Sequence, residues 1–298
     1  MNSRIIIGTW PLSGDYGEVD SNQVRDVLEY CYENGIREFD TAPNYGDEFI
    51  EKELGNVFHD KEDVLINTKM GNFPFNKKSY EINDLKKSFN NSLDNLKRGS
   101  INILFLHNPR KEIIDYTNIL NFMNELKDAG IINFIGLSKA KNFNYEDFVD
   151  LSKFDVIQED INLLSLEPLK KIKQQQNILM ARSPLASGLL SGNITNKTIF
   201  PKNDHRSEWL YGKRLESLVK RTDEIKKLSG IMLSELSMRF LFSQKEINKI
   251  IFGVKTKEHV KNIISNSKKE KLEEEIVEKL FRLYKEDFGL IDESEYGY

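Results

Sequence analysis

Cysteine is almost missing from this chain of 298 residues: Cys31 stands alone, which excludes an internal disulfide. Histidine is scarce too, and His59, His107, His205 and His259 are too scattered for metal-ligand spacing. No apolar run reaches the roughly 18 residues that cross a bilayer, so no membrane partner is expected. Neither charge sign dominates, with 43 basic and 47 acidic residues and a formal net charge of -4. A global pull toward nucleic acid or anionic lipid is therefore excluded, and a small specific ligand remains. The N-terminus runs at once into Ile5-Ile6-Ile7, as expected of an unprocessed, soluble, cytoplasmic protein. Cys31 shares a helical face with Val24, Val27 and Leu28 and reads as a buried core thiol.

What is present in quantity is alternation. Short β-like runs fall near Arg4-Gly8, Glu38-Thr41, Val64-Lys69, Ile101-His107, Phe134-Leu137, Val156-Gln158, Ile178-Ala181 and Ile250-Gly253. Helical stripes lie between them, such as Leu85, Phe89, Leu93 and Leu96, then Ile119, Phe122, Met123 and Leu126. Eight strands with intervening helices over this length favour an α/β fold of the (β/α)8 barrel type, one domain over 1–298. Pattern alone leaves a doubly wound sheet open. Two segments break the rhythm. Residues 193–209, polar and rich in Asn and Lys, read as a mobile loop, and 287–298 as a tail. Between the last strand and that tail, Leu272, Ile276, Leu280 and Tyr284 form the apolar stripe of a helix packed on the barrel exterior.

Four polar residues stand at or just beyond the ends of strand-like runs: Asp40, Tyr45, Lys69 and His107. Taken singly, each has an ordinary structural use. An Asp before Thr41-Ala42-Pro43 caps a turn, a Tyr beside Gly46 packs in a loop, a Lys snorkels outward, and a strand-end His packs through a hydrogen bond. Taken together in a parallel barrel, they converge on one face. They then answer one problem, protonating a carbonyl oxygen without a metal. A Lys ammonium favours loss of the phenolic proton, an Asp keeps that cation charged, and the imidazole orients or donates to the oxygen.

The segments Gly8-Thr9-Trp10, Phe39-Asp40-Thr41-Ala42-Pro43-Asn44-Tyr45-Gly46, Thr68-Lys69, Leu106-His107-Asn108-Pro109 and Ile135-Gly136-Leu137-Ser138 occur in that order. They continue through Gln158 with Asn162, the run Ser183 to Gly192, and Gly253-Val254-Lys255. This series resembles the aldo-keto reductase superfamily across nearly the whole chain. The resemblance implies a (β/α)8 barrel holding NADPH at its C-terminal mouth, with NAD the less favoured cofactor. It also implies a catalytic tetrad of Asp40, Tyr45, Lys69 and His107, with Tyr45 as the proton donor to a carbonyl substrate.

By the same resemblance, Ser138 and Gln158 match positions that hydrogen-bond the nicotinamide carboxamide, whereas Lys139 replaces a usual Asn. Arg182 replaces an aromatic that stacks on the nicotinamide. Its guanidinium would repel the oxidised, cationic ring and favour the reduced cofactor. Ser183, Leu185, Ser187 and Gly188 fall in a small-residue loop suited to a pyrophosphate. Gly253, Lys255, Thr256 and His259 match the adenosine 2′-phosphate end, and Asn262 with Ile263 replaces a usual Glu-Asn pair. Trp10 and Trp209 are the substrate-wall candidates. The substrate expected is a polar or sugar-like aldehyde or ketone, and the protein is expected to be a monomer or weak homo-oligomer. Three other readings stay open: a specialised reductase of keto or enoyl groups on nucleotide-linked sugars, a Schiff-base barrel using Lys69, and a catalytically weak nucleotide-binding accessory protein.

Overall fold

Eight parallel strands close on themselves in chain order in a computed structural model of the protein that describes residues 3–110, 116–141, 144–171, 177–290 and 298. They are β1 (Ile5–Gly8), β2 (Glu38–Asp40), β3 (Leu65–Met70), β4 (Ile101–His107), β5 (Ile132–Ser138), β6 (Val156–Asp160), β7 (Ile178–Arg182) and β8 (Lys249–Gly253). Closure is made where β1 pairs with both β2 and β8, Ile7 opposite Phe39 and Phe252. This is the (β/α)8 barrel that the alternation of short apolar runs and helical stripes favours. Four strands run past their expected ends, β3 and β7 by one residue each, to Met70 and Arg182, and β5 and β6 into polar residues. The paired main chain of β5 extends to Ser138, opposite His107, and β6 extends to Asp160, opposite Arg182. Both extensions carry polar side chains, so hydrophobicity alone stops short of them.

Strand periodicity sorts the side chains into two layers. Ile6, Ile103, Phe105, Val156, Met180 and Ile251 fill the barrel interior as a cluster of their own. Their strand neighbours, such as Ile5, Ile7, Leu104 and Leu106, join the larger core under the helices. Gly136 explains how the interior accommodates the Phe105 ring. A Cβ on that glycine would lie 2.3 Å from the ring, a distance no relaxed packing allows.

Helices α1 (Ser21–Glu33), α2 (Phe49–Phe58), α3 (Ile82–Leu96), α4 (Tyr116–Asp128), α5 (Glu167–Lys171), α6 (Gly212–Lys227), α7 (Leu233–Ser243), α8 (Lys257–Ser267) and α9 (Glu274–Lys285) surround the strands. Cys31 is fully buried on α1 beside Val24, Val27 and Leu28. On α9, Leu280 is buried and Ile276 and Tyr284 pack against the core. Among the described residues, no helix is long and apolar enough to cross a membrane. The segment 193–209 contains a 3-10 turn at His205–Glu208, and its Asp204 bridges to Tyr16 in the loop after β1. Of the tail, residues 291–297 lie outside the described residues.

One buried acid lies outside the mouth of the barrel. Glu51 on α2 is fully buried and accepts hydrogen bonds from Thr68 Oγ1 at 2.6 Å and Ser92 Oγ at 3.2 Å. Burial pushes its pKa up from 4.5 to about 7, against the pull of those hydroxyls. The folded protein therefore binds this proton more tightly than the unfolded chain does. The stabilisation is complete below the unfolded pKa and is lost as pH rises toward 7, at about 1.4 kcal/mol per pH unit. Glu51→Gln is expected to flatten that slope. Denaturation midpoints measured from pH 5 to 8 would then diverge, with the variant gaining on the wild type as pH rises.

Candidate active site

The inward parity of the strands delivers the chemistry. Residues that follow the interior positions by two fall at the C-terminal rim: Asp40 on β2, Lys69 on β3, His107 on β4, Ser138 on β5, Gln158 on β6 and Arg182 on β7. Tyr45 reaches the same rim from the β2 loop through a turn in which its N–H donates to Ala42 O. Gly46 next to it takes a φ of 59°, and a Cβ there would sit 2.7 Å from Ser13 O. Only glycine lets the loop after β1 pass that closely.

Lys69 is the hub. Its ammonium donates to Asp40 Oδ1 at 2.5 Å, Thr41 O at 2.7 Å and the Tyr45 hydroxyl at 3.3 Å. An ammonium has three protons, and all three are committed. The Tyr45 oxygen accepts from Lys69, which leaves its own proton free for a further acceptor. Asp40 Oδ2 accepts from Gln158 Nε2 at 2.9 Å, and Gln158 Oε1 accepts from Ser138 Oγ at 2.8 Å. A continuous chain thus links β5, β6, β2 and β3 to the phenol.

The electrostatics follow from burial. Lys69 is 1% exposed; desolvation works against its charge, but Asp40 and then Tyr45 outweigh it and its pKa rises. A lysine held protonated in this way is a poor nucleophile, which weighs against a Schiff-base role. Burial raises the Tyr45 phenol above 10.0, and Lys69 draws it only part of the way back. The sequence reading expects the lysine to win; desolvation of the buried phenol is larger. The consequence is a phenol that keeps its proton at neutral pH until an acceptor arrives. Burial, followed by the Lys69 charge, drives His107 well below 6.5, so the imidazole is neutral. Its Nδ1 is buried with no hydrogen-bond partner, and its ring lies 6.4 Å from that of Tyr45, edge to face.

Trp10 stacks on Tyr45 at 5.9 Å with an interplanar angle of 18° and is fixed by its indole N–H donating to Asp15. It covers one face of the phenol ring. Trp209 lies against Tyr298 and Arg214. Arg182 donates to Lys139 O at 2.7 Å and Asp160 Oδ2 at 3.0 Å. Burial opposes its charge, but Asp160 leads the groups that keep it cationic. The Lys139 ammonium pairs with Glu159 at 2.6 Å and Glu146 at 3.2 Å.

Beyond β7 the backbone turns through Ser183, Ala186 and Ser187 with φ of 55°, 47° and 54°, and Gly188 with 94°. Left-handed non-glycine residues cost about 1–3 kcal/mol each and cluster where a backbone is shaped for a ligand. Leu185 opens the 3-10 turn that follows. Two cations converge on this edge. Arg206 donates to Ser187 O at 3.2 Å, and Lys255 Nζ donates to the carbonyls of Tyr16 and Gly17 at 2.8 and 2.9 Å. Gly253 packs on Pro11, where a Cβ would come within 2.9 Å. Thr256 caps α8 through His259 N–H, the His259 ring accepts from Lys255 N–H, and Asn262 lies a turn further along.

Residues 4–293 match the Aldo/keto reductase family model. The chain belongs to the aldo/keto reductase family. It is 24% identical over 270 residues to "Aldo-keto reductase YhdN" of Bacillus subtilis, covering 85% of this chain and 81% of that one. It is 26% identical over 282 residues to L-galactose dehydrogenase of Arabidopsis thaliana, covering 88% and 83%. In structure it is similar to an aldo-keto reductase from Klebsiella pneumoniae in complex with NADPH, with a TM-score of 0.70, 20% identity and coverage of 94% and 90%. As an aldo/keto reductase the protein is an NAD(P)H-dependent oxidoreductase.

Sequence reasoning on this aldo/keto reductase missed four members of the mouth. Asp160 and Glu159, which neutralise Arg182 and Lys139, lie at the polar end of β6. Continuing the strand parity two residues past Gln158 finds Asp160. Arg206 and Tyr298 lie where the sequence carries no hydrophobic period to follow.

Proposed function

We propose that this aldo/keto reductase reduces the carbonyl group of a polar small molecule to an alcohol with NADPH. The observation that carries this reading is the saturated Lys69 ammonium, which makes the Tyr45 oxygen an acceptor and turns the phenol's only proton outward. A bound reduced nicotinamide supplies the hydride. Tyr45 supplies the proton to the carbonyl oxygen, Lys69 stabilises the phenolate left behind, Asp40 holds Lys69, and neutral His107 orients the oxygen. Trp10 excludes water from one side of the phenol.

The donor set fits the cofactor. Arg182, with its buried Nε unpartnered, and the Ser138–Gln158 pair would hold the nicotinamide end. The left-handed turn at Ser183, Ser187 and Gly188, with Arg206 beside it, would hold the pyrophosphate. Lys255, Thr256 and His259 at the N-terminus of α8 suit the 2′-phosphate, which favours NADPH over NADH. Lys255 would exchange its carbonyl partners for the phosphate.

The test combines calorimetric titration with turnover. NADPH is expected to bind more tightly than NADH and to be consumed with polar aldehydes. Binding without consumption across aldehydes, ketones and nucleotide-linked sugars would sink the proposal in favour of an accessory role. Consumption only with the nucleotide-linked sugars would make it the specialised reductase.

A further inference from the structure

Tyr298 lies over residues that the mechanism needs for something else. The Lys141 Nζ stands 3.3 Å from the centroid of its ring, and the Trp209 ring lies 6.5 Å away at 62°. Its hydroxyl is buried, beside the hydroxyls of Ser187 and Ser183 yet without a hydrogen bond of good geometry to either, and within electrostatic reach of Asp160 and Arg182. Burial raises the phenol pKa, so it carries no charge into this place. Ser183, Ser187 and Arg182 are the groups assigned above to the nicotinamide and pyrophosphate.

We propose that Tyr298 and the cofactor compete for this seat, so that the chain restrains its own cofactor binding. The inference rests on the cofactor reading above. Its physical basis is exclusion. A seated phenol ring takes the space beside Ser183 and Ser187, and the protein's apparent dissociation constant rises by the inverse of the fraction in which the seat is free. The seat is held by the ring rather than by the hydroxyl. Lys141 interacts with the π face and Trp209 with the edge, whereas the buried hydroxyl, beside Ser187 and Ser183, makes no well-aligned hydrogen bond to add to the ring's hold.

That division gives an ordering to test by calorimetric titration of NADPH and NADH into the wild type, Tyr298→Ala and Tyr298→Phe. Tyr298→Ala is expected to bind NADPH at least about fivefold more tightly than the wild type. Tyr298→Phe keeps the ring and is expected to bind equally or more weakly. Weaker binding by Tyr298→Ala would overturn the inference and make Tyr298 part of the cofactor wall. Equal binding by all three would overturn it while leaving the cofactor reading intact. No binding of either nucleotide by any form would overturn both.

Discussion

Tyr45→Phe is expected to lower carbonyl reduction by about 10²–10⁴-fold while NADPH affinity stays within about twofold. The variant keeps the ring that stacks on Trp10 and removes the only free proton of the Lys69 cluster. No neighbouring group replaces it. Lys69, whose pKa is raised by Asp40, stays a weak acid even with one N–H freed by the change, and burial followed by the Lys69 charge keeps His107 neutral, with no acidic proton to give. Loss of one acceptor from Lys69 is a smaller matter, because Asp40 and the Thr41 carbonyl still hold the ammonium. Steady-state turnover beside calorimetric NADPH titration separates the two effects. Equal losses in binding and turnover would point to a collapsed pocket instead of a missing acid.

Asp40→Ala is expected to destabilise the protein by about 3–5 kcal/mol, since it strands a buried ammonium without its counter-ion. Lys69 is almost wholly buried, and among the described residues Asp40 is its sole carboxylate, at 2.5 Å. The same change leaves the Gln158 amide without its acceptor. Removing both charges tells a different story. In Asp40→Leu combined with Lys69→Met no charge is left buried and unpaired, and stability is expected to return to within about 2 kcal/mol of the wild type. Activity stays lost in both. Chemical denaturation measures the first part of this contrast, and turnover the second. A double variant as unstable as Asp40→Ala would show that backbone strain, rather than the unpaired charge, sets the cost.

The barrel was readable because its strands are short apolar runs of steady spacing, and the meeting of the strand-end polar residues because parallel strands bring their C-terminal ends to one rim. Asp40, Lys69 and His107 are legible for that physical reason. Tyr45 is legible by resemblance, since it sits in a loop whose path depends on Gly46 admitting Ser13. What escaped was set by contacts between distant segments. Asp160 is reached only by carrying the β6 parity past its apolar part, and the Lys255 ammonium lies on the Tyr16 and Gly17 carbonyls across the mouth. The pKa of Tyr45 escaped for a related reason. Residue identity names the lysine that lowers it, but only the packing reveals how completely the phenol is enclosed.

In the proposed reaction, hydride and proton reach one carbonyl in this pocket. Turnover of an aldehyde with NADPH deuterated at the transferable position of the reduced nicotinamide tests it most directly. The mechanism predicts one deuterium on the carbinol carbon of the product for every cofactor oxidised. Cofactor oxidised with no deuterium on that carbon would contradict it.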